Sequence, residues 1–164
     1  MALTTFVAGN VLTATQLNDS FAAVQTAYTN YTPTVSGWTV GNGTFPVSYY
    51  GTDGKMINAH GYFSFGSTSA VTASALAMTL PVLAFSNTNT EVYGVCTFTD
   101  TSAGATVTGY CRIQNASQMY FYWHDPETTP LAVRLEAWAT GGGTLPFTFA
   151  TGDLVSWNIM YRAA

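Results

Sequence analysis

From Trp38 to the C-terminus the chain is written in the two-residue period of β-structure, cut at short intervals by Gly, Asn, Asp, Ser and Thr. In "LVSWNIMY", Val155, Trp157, Ile159 and Tyr161 fall on one face. "KMINAHGYFSF" does the same with Ile57, Ala59, Phe63 and Phe65, and "ALAMTLP" offers Leu76, Met78 and Leu80 before Pro81 stops it. Further runs cover Val92 to Thr99, Thr106 to Gln114, Gln118 to Trp123 and Leu131 to Trp138. Asn42-Gly43 and Asp53-Gly54 sit between β-prone flanks and predict hairpins, so the front of this region reads as an antiparallel meander. Roughly eight strands with no second helical pattern describe a mainly β chain, an antiparallel β-sandwich of jelly-roll-like type, with a barrel as the alternative. The stretches 86–90 and 139–144 are the expected flexible tips.

One segment departs from this period. Between Phe6 and Tyr28, Thr13 stands as an N-cap with Gln16 three positions on, the spacing of a capping box, and Leu12 with Leu17 makes a hydrophobic staple. Leu17, Phe21, Val24 and Tyr28 then recur at intervals of four, three and four, which lines them along one helical face about four turns long. A helix this short is marginal alone in water, so its stripe needs cover. Two burials compete: folding back on the β domain, or meeting the same stripe of identical chains in a small parallel bundle. "TNYTPTVSG" follows as an extended exit, which favours a projecting helix. The expected organisation is residues 1–30 as an N-terminal segment with one short amphipathic helix, and 31–164 as the β-sandwich domain.

Charged residues are only 7% of the chain against about 25% in an average soluble protein, while 48% is hydrophobic and 15% aromatic. A lone copy with so few charges would be poorly soluble, so the composition predicts a protein covered by copies of itself or by a partner. With a formal charge of -4 and four basic residues, Lys55, Arg112, Arg134 and Arg162, the chain has no basic stripe, and nucleic acid is not an expected partner. No apolar run approaches the roughly 20 residues of a membrane span, and no basic n-region of a signal peptide begins the chain. Synthesis in the cytoplasm and no membrane partner are therefore expected. Cys96 and Cys111 alternate into the inward face of their strands and read as buried thiols. A bridge between neighbouring strands is the alternative, one that the inside of a cell disfavours.

Little in the sequence points to catalysis, a cofactor or a metal. His60 alternates with Asn58, Tyr62 and Ser64 on the polar side of its strand, and His124 leads "HDPETTP", a turn. The eight carboxylates are scattered, and Asp53 and Asp153 read as turn residues rather than as parts of an acidic cation loop. In "MYFYWHD", inward Met119, Phe121 and Trp123 would leave Tyr120 and Tyr122 facing out beside His124. Such rings stack on sugars or on a neighbouring subunit, and a strand buried on both sides is the blander alternative.

The order "FVAGNVLTATQLNDSF", "YTPTVSGWTVGNGT", "GKMINAHGYFSFGSTS", "LP" and "FATGDLVSWNIMYRAA" resembles the small structural proteins of tailed bacteriophages, of the head-decoration, minor-tail and tail-fibre types. The most specific elements are Ala8 to Asn18 and the "WTVGNGT" stretch. The resemblance implies a non-enzymatic virion protein whose N-terminal segment fastens it or trimerises it, with Phe6, Leu12, Leu17, Phe21, Val24 and Tyr28 as contacts. Without a collagen-like repeat or long coiled coil, the chain fits a homotrimeric decoration protein, a compact knob bound to the major capsid protein on the virion surface. The alternative is a tail-tip or short-fibre protein that contacts tail proteins and binds a host-surface glycan through Tyr120, Tyr122 and the loop tips.

Overall fold

The computed structural model describes residues 13–24, 28–71, 76–85, 92–124, 135–137 and 147–164, with the side chains of 20–24, 92, 124 and 135–137 left aside. The elements are α1 (Ala14–Val24), β1 (Thr29–Asn30), β2 (Val35–Ser36), β3 (Trp38–Thr39), β4 (Thr44–Asp53), β5 (Met56–Ser64), β6 (Ala70–Val71), β7 (Ala77–Thr79), β8 (Val92–Asp100), β9 (Ala105–Asn115), β10 (Gln118–His124), β11 (Leu135–Ala137) and β12 (Leu154–Arg162). The long strands β8, β9, β10 and β12 lie where alternation puts them, each boundary within one residue. Of the run Leu131 to Trp138 only β11 is described, and the tips 86–90 and 139–144 lie outside the described residues.

All pairings are antiparallel, and the main sheet runs without a break in the order β1-β4-β5-β12-β8-β9-β10-β7-β2, with β11 on the free side of β10. The protein is thus mainly β, a curled antiparallel sheet with one short helix. Among the described residues ten strands hydrogen-bond as one continuous ladder, with β3 and β6 as a separate pair.

What curls the sheet is visible in its two edges. β1 and β2 are the outermost strands of opposite edges, yet only residues 31–34 separate them. Tyr31 N still donates to Ser48 O on β4 (3.1 Å), while Thr34 N donates to Thr79 Oγ1 and Thr79 N returns to Thr34 O on the β7 side, both at 2.9 Å. Three residue steps span at most about 10 Å, so the edges must come round to meet each other. The two edges end in strands of only two residues each, which keeps the exposed edge ladders short.

The inside of the curl is filled row by row. Ser48, Gly61, Trp157, Cys96, Gly109 and Trp123 are successive partners across β4, β5, β12, β8, β9 and β10, and all are buried. Glycines stand beside the bulky members because nothing larger fits. A Cβ on Gly61 would lie 2.5 Å from Val47 O and 2.6 Å from the Trp157 ring, and one on Gly109 would meet the Tyr122 carbonyl.

Each end has its own closure. At one end Trp38 stacks on Phe63 (5.2 Å) and leans on Phe121 (5.8 Å) and Phe65 (6.1 Å), with Phe149 stacked on Phe65 (4.6 Å). Asp153, buried, ties the same end together: its carboxylate accepts Thr101 N (2.9 Å), Thr101 Oγ1 (3.1 Å) and Ala150 N (2.7 Å). The "TGD" turn therefore fastens the β8–β9 hairpin loop to the strand β12. At the other end the Tyr161 hydroxyl donates to Val82 O (2.7 Å) and accepts from Val82 N (3.3 Å), drawing residues 80–85 across the opening.

One hairpin expectation holds and one is corrected. β4 and β5 close through Asp53↔Met56, with Gly54 at φ 58°. Asn42-Gly43 does turn the chain, Gly43 N donating to Val40 O (2.9 Å), but β3 and β4 on its two sides do not pair with each other. β3 pairs with β6, because the Asn42 side chain engages the 66–69 loop instead: Oδ1 accepts Thr68 N and Oγ1, each at 2.9 Å, and Nδ2 donates to Ser67 Oγ (3.0 Å).

The packed row makes Gly61 a sensitive position. Gly61→Ala is expected to cost about 1–3 kcal/mol through overpacking against Trp157. The check is a lowered urea midpoint at unchanged slope.

A candidate assembly surface at the helix end

The capping box forms as its spacing requires. Gln16 N donates to Thr13 Oγ1 (3.2 Å) and Thr13 N donates to Gln16 Oε1 (3.1 Å), so two orphan donors of the first turn are satisfied reciprocally. From this start α1 runs to Val24. The side chains of residues 13–19 are all exposed, and Leu17, the large apolar one among them, keeps 43% of its surface. Phe6 and Leu12 lie outside the described residues, as does the staple, and the side chains of Phe21 and Val24 are not described.

Tyr28 departs from its expected place. α1 is described over Ala14–Val24, and Tyr28 is not helical but leads into β1. Its ring meets His60 edge-on at 5.3 Å, on the outer face of β5, and Tyr49 flanks the same imidazole at 6.0 Å. The stripe is thus about three turns long, and its fourth member belongs to the sheet.

Because Thr29 pairs with Tyr50 and Asn30 with Tyr49, the chain enters the sheet from the end that carries the β4–β5 turn and the C-terminus. The exposed large apolar side chains gather toward that same end: Tyr28, Met56, Met160, Leu83 and Phe85. Met56 lies opposite Arg162, and Met160 opposite Asn58, on adjacent strands. Between them a cleft of about 300 Å³ opens, lined by Tyr28, Gly51, Asp53, Met56, Asn58 and Met160. Next to Met56 across the ladder, Arg162 lays its guanidinium over the Phe85 ring at 4.4 Å. Val95 and Tyr110, also exposed, prolong the apolar surface along β8 and β9. Single exposed apolar residues are ordinary, whereas a gathering of this kind marks an interaction surface.

The aromatic strand β10 alternates as expected, with Met119, Phe121 and Trp123 buried inside. The expected exposed pair on its outer side is not present. Tyr120 is half-buried and Tyr122 is buried, at 5% exposure. Tyr122 is covered by its neighbours: the Arg112 guanidinium lies over its ring at 5.1 Å, Gln114 Nε2 donates to its hydroxyl, and β11 pairs alongside at Ala137. A two-ring sugar platform is therefore not available on this strand, and the strand follows the alternative of burial on both sides at Tyr122. His124 ends β10 opposite Leu135, and its side chain is not described.

Burial keeps the Tyr31 phenol and the Cys111 thiol neutral. Burial pushes the Tyr31 phenol up to about 12, with Ser48 and Trp157 beside it partly opposing the shift. Tyr31 Oη, Ser48 Oγ and Trp157 Nε1 are nevertheless buried without a partner at good hydrogen-bond geometry. A phenol in that state stays protonated near neutral pH and offers no base. Burial also drives the Cys111 thiol well up, reinforced by the adjacent Cys96. Both cysteines are free and buried, as alternation implied, and they donate weakly to the carbonyls of Val95 and Tyr122, each at 3.7 Å. Sequence reasoning found these positions but missed the cleft, whose walls come from three separate stretches of chain.

Among the described residues no group of three or more His, Cys, Asp and Glu is placed to hold a metal ion, and no helix is long and apolar enough to cross a membrane. No protein-family model, curated protein or solved structure matches the chain.

The thiols provide a check on the packing. In the native protein a disulfide-exchange reagent is expected to titrate neither Cys96 nor Cys111, and both should react after unfolding in guanidinium. Prompt reaction of the folded protein would show that the interior is open.

Proposed function

We propose that this chain is a non-enzymatic structural protein of a bacteriophage virion, a homotrimeric decoration protein bound to the outside of the head. The observation that carries the reading is spatial. Tyr28, Met56, Met160, Leu83 and Phe85, all exposed, lie toward one end of the curled sheet, the end from which the N-terminal segment enters it, while hydroxyl-rich strand ends lie toward the other. Such a division suits a knob that attaches by one end and displays the other. The resemblance of the N-terminal segment and of the "WTVGNGT" stretch to phage structural proteins supplies the virion.

The chemistry of the role is mass action. A protein that binds only the assembled shell stabilises it by its binding free energy, about 2.7 kcal/mol at a free concentration one hundred times Kd. The role calls for a folded scaffold and a contact surface, and the major capsid protein is the partner it implies. The fibre alternative relied on Tyr120, Tyr122 and the loop tips, and the burial of Tyr122 removes one of these contacts.

Two measurements test the reading. The purified chain should have three times the 17.5 kDa mass of one copy in light scattering, and a monomer at assembly concentrations would refute the trimer. Immunogold microscopy of intact particles, with antibody raised against the folded protein, should label the heads. Label confined to the tail tip would transfer the protein to the tail, and unlabelled particles would exclude a virion surface role.

A further inference from the structure

We infer that Asn42-Gly43 is a latent deamidation site, held shut by its contacts with the 66–69 loop, so that Asn42 is chemically converted only when those contacts open.

The sequence supplies the reactive pair. Asn42-Gly43 is the one Asn-Gly step in the chain, and a glycine after asparagine leaves the following amide unscreened by a side chain. The reaction needs no second molecule until its last step. The Gly43 nitrogen attacks Asn42 Cγ, a bond between them forms, the Cγ–Nδ2 bond breaks, and Nδ2 leaves as ammonia with the proton that Gly43 N gives up. Water then opens the succinimide at either carbonyl, which yields aspartate or isoaspartate. Asn42 is exposed, so water reaches it.

The fold opposes the first step at both reacting groups. The nucleophile is engaged, because Gly43 N donates to Val40 O at 2.9 Å. The carboxamide is bound to the loop at both of its polar atoms: Oδ1 accepts Thr68 N and Oγ1, each at 2.9 Å, and Nδ2 donates to Ser67 Oγ at 3.0 Å. Asn42 N adds a fourth bond, donating to Thr68 Oγ1 at 2.9 Å. Ring closure requires the carboxamide to leave these partners and align on its own backbone, about 3–3.5 Å from the attacking atom. Little slack exists for that movement. A Cβ on Gly66 would meet Asn42 Oδ1 and lie 2.7 Å from Gly43 N, and one on Gly43 would lie 2.5 Å from Ser69 Oγ. The two donors on Oδ1 polarise the carbonyl and by themselves favour attack, as an oxyanion hole does. Alignment outweighs polarisation here, since a pinned carboxamide cannot swing onto the Gly43 nitrogen.

What the lock protects is the cap of the core. The Asn42 contacts direct β3 to β6, and Trp38 of β3 packs on Phe63, Phe65 and Phe121. Aspartate lacks the donor to Ser67, and isoaspartate adds a backbone carbon inside a turn where even a Cβ on Gly43 has no room. Either product stops the contact from re-forming as it was, so an opening that leads to reaction is irreversible.

The full chain is incubated in mildly alkaline buffer, folded and in guanidinium, and conversion at Asn42 is followed by tandem mass spectrometry. The folded protein should convert at least about tenfold more slowly than the unfolded one, because reaction waits for local opening. Equal rates would overturn the lock. Faster conversion in the folded state would overturn it as well, by showing that the Thr68 donors act as an oxyanion hole. Ser67→Ala/Thr68→Ala removes three of the four bonds at two exposed positions and should convert several times faster than wild type, with Ser67→Ala alone in between. An unchanged rate in the double variant would show that the loop is not the lock. Hydrogen exchange at the Gly43 amide gives the same test without a variant. It should be slow in the folded wild type, and exchange as fast as in the unfolded chain would refute the closed state.

Discussion

The rest of the structure depends on the meeting of the two sheet edges at residues 31–34. Hydrogen bonds from Tyr31 to β4 and between Thr34 and Thr79 on the β7 side make one strand segment serve both edges. Curling follows from that double use, and so does the dense interior, where Gly61 and Gly109 stand beside Trp157 and Trp123. The direction in which the chain enters also follows. A segment that must reach β4 from the turn end of the sheet brings Tyr28 to the end where Met56, Met160 and the C-terminus already lie. Closure and the candidate surface are consequences of one constraint.

The strands were legible because half-buried antiparallel strands advertise themselves. Val155, Trp157, Ile159 and Tyr161 are all buried as their period requires, and the same holds for Ile57, Ala59, Phe63 and Phe65. The capping box was legible for a similar reason, its two hydrogen bonds depending on residues three apart. Features decided by distant residues were not. Asn42-Gly43 has the composition of a hairpin turn, but Thr68 and Ser67, far along the chain, compete for the Asn42 side chain and send β3 to β6. Tyr122 faces outward by period and is buried by Arg112, Gln114 and β11, none of which its own strand encodes. Tyr28 fits the helical spacing by arithmetic, but it is not helical and the ring finds His60. The cleft has no local signature at all.

Asp153 shows how a polar turn can act as a core element. Read along the sequence, "TGD" is a common turn, and Gly152 at φ 92° agrees. The carboxylate is nonetheless buried, and it accepts hydrogen bonds from Thr101 and Ala150, joining two loops that the ladder alone would leave apart. A buried carboxylate is tolerated only when such donors surround it. Its role here is mechanical: it fixes the loop end, so that the outer faces of β8 and β12 keep a constant register.

Those outer faces suggest how a chain with so little charge stays hydrated and still assembles. Toward the loop end, cross-strand rows carry hydroxyls: Thr44, Ser64, Leu154, Thr99 and Thr106 in one, and Tyr62, Ser156, Thr97 and Thr108 in the next. Thr97 and Ser156 share a hydrogen bond of 2.5 Å, and Thr99 and Thr106 one of 3.2 Å. Hydroxyls hold water without the repulsion that like charges would impose between copies placed side by side. Two strand positions further toward the helix end the same face turns to His60 and Val95, and then to Met160 and Met56. The hydroxyl rows thus stop where the exposed apolar side chains begin.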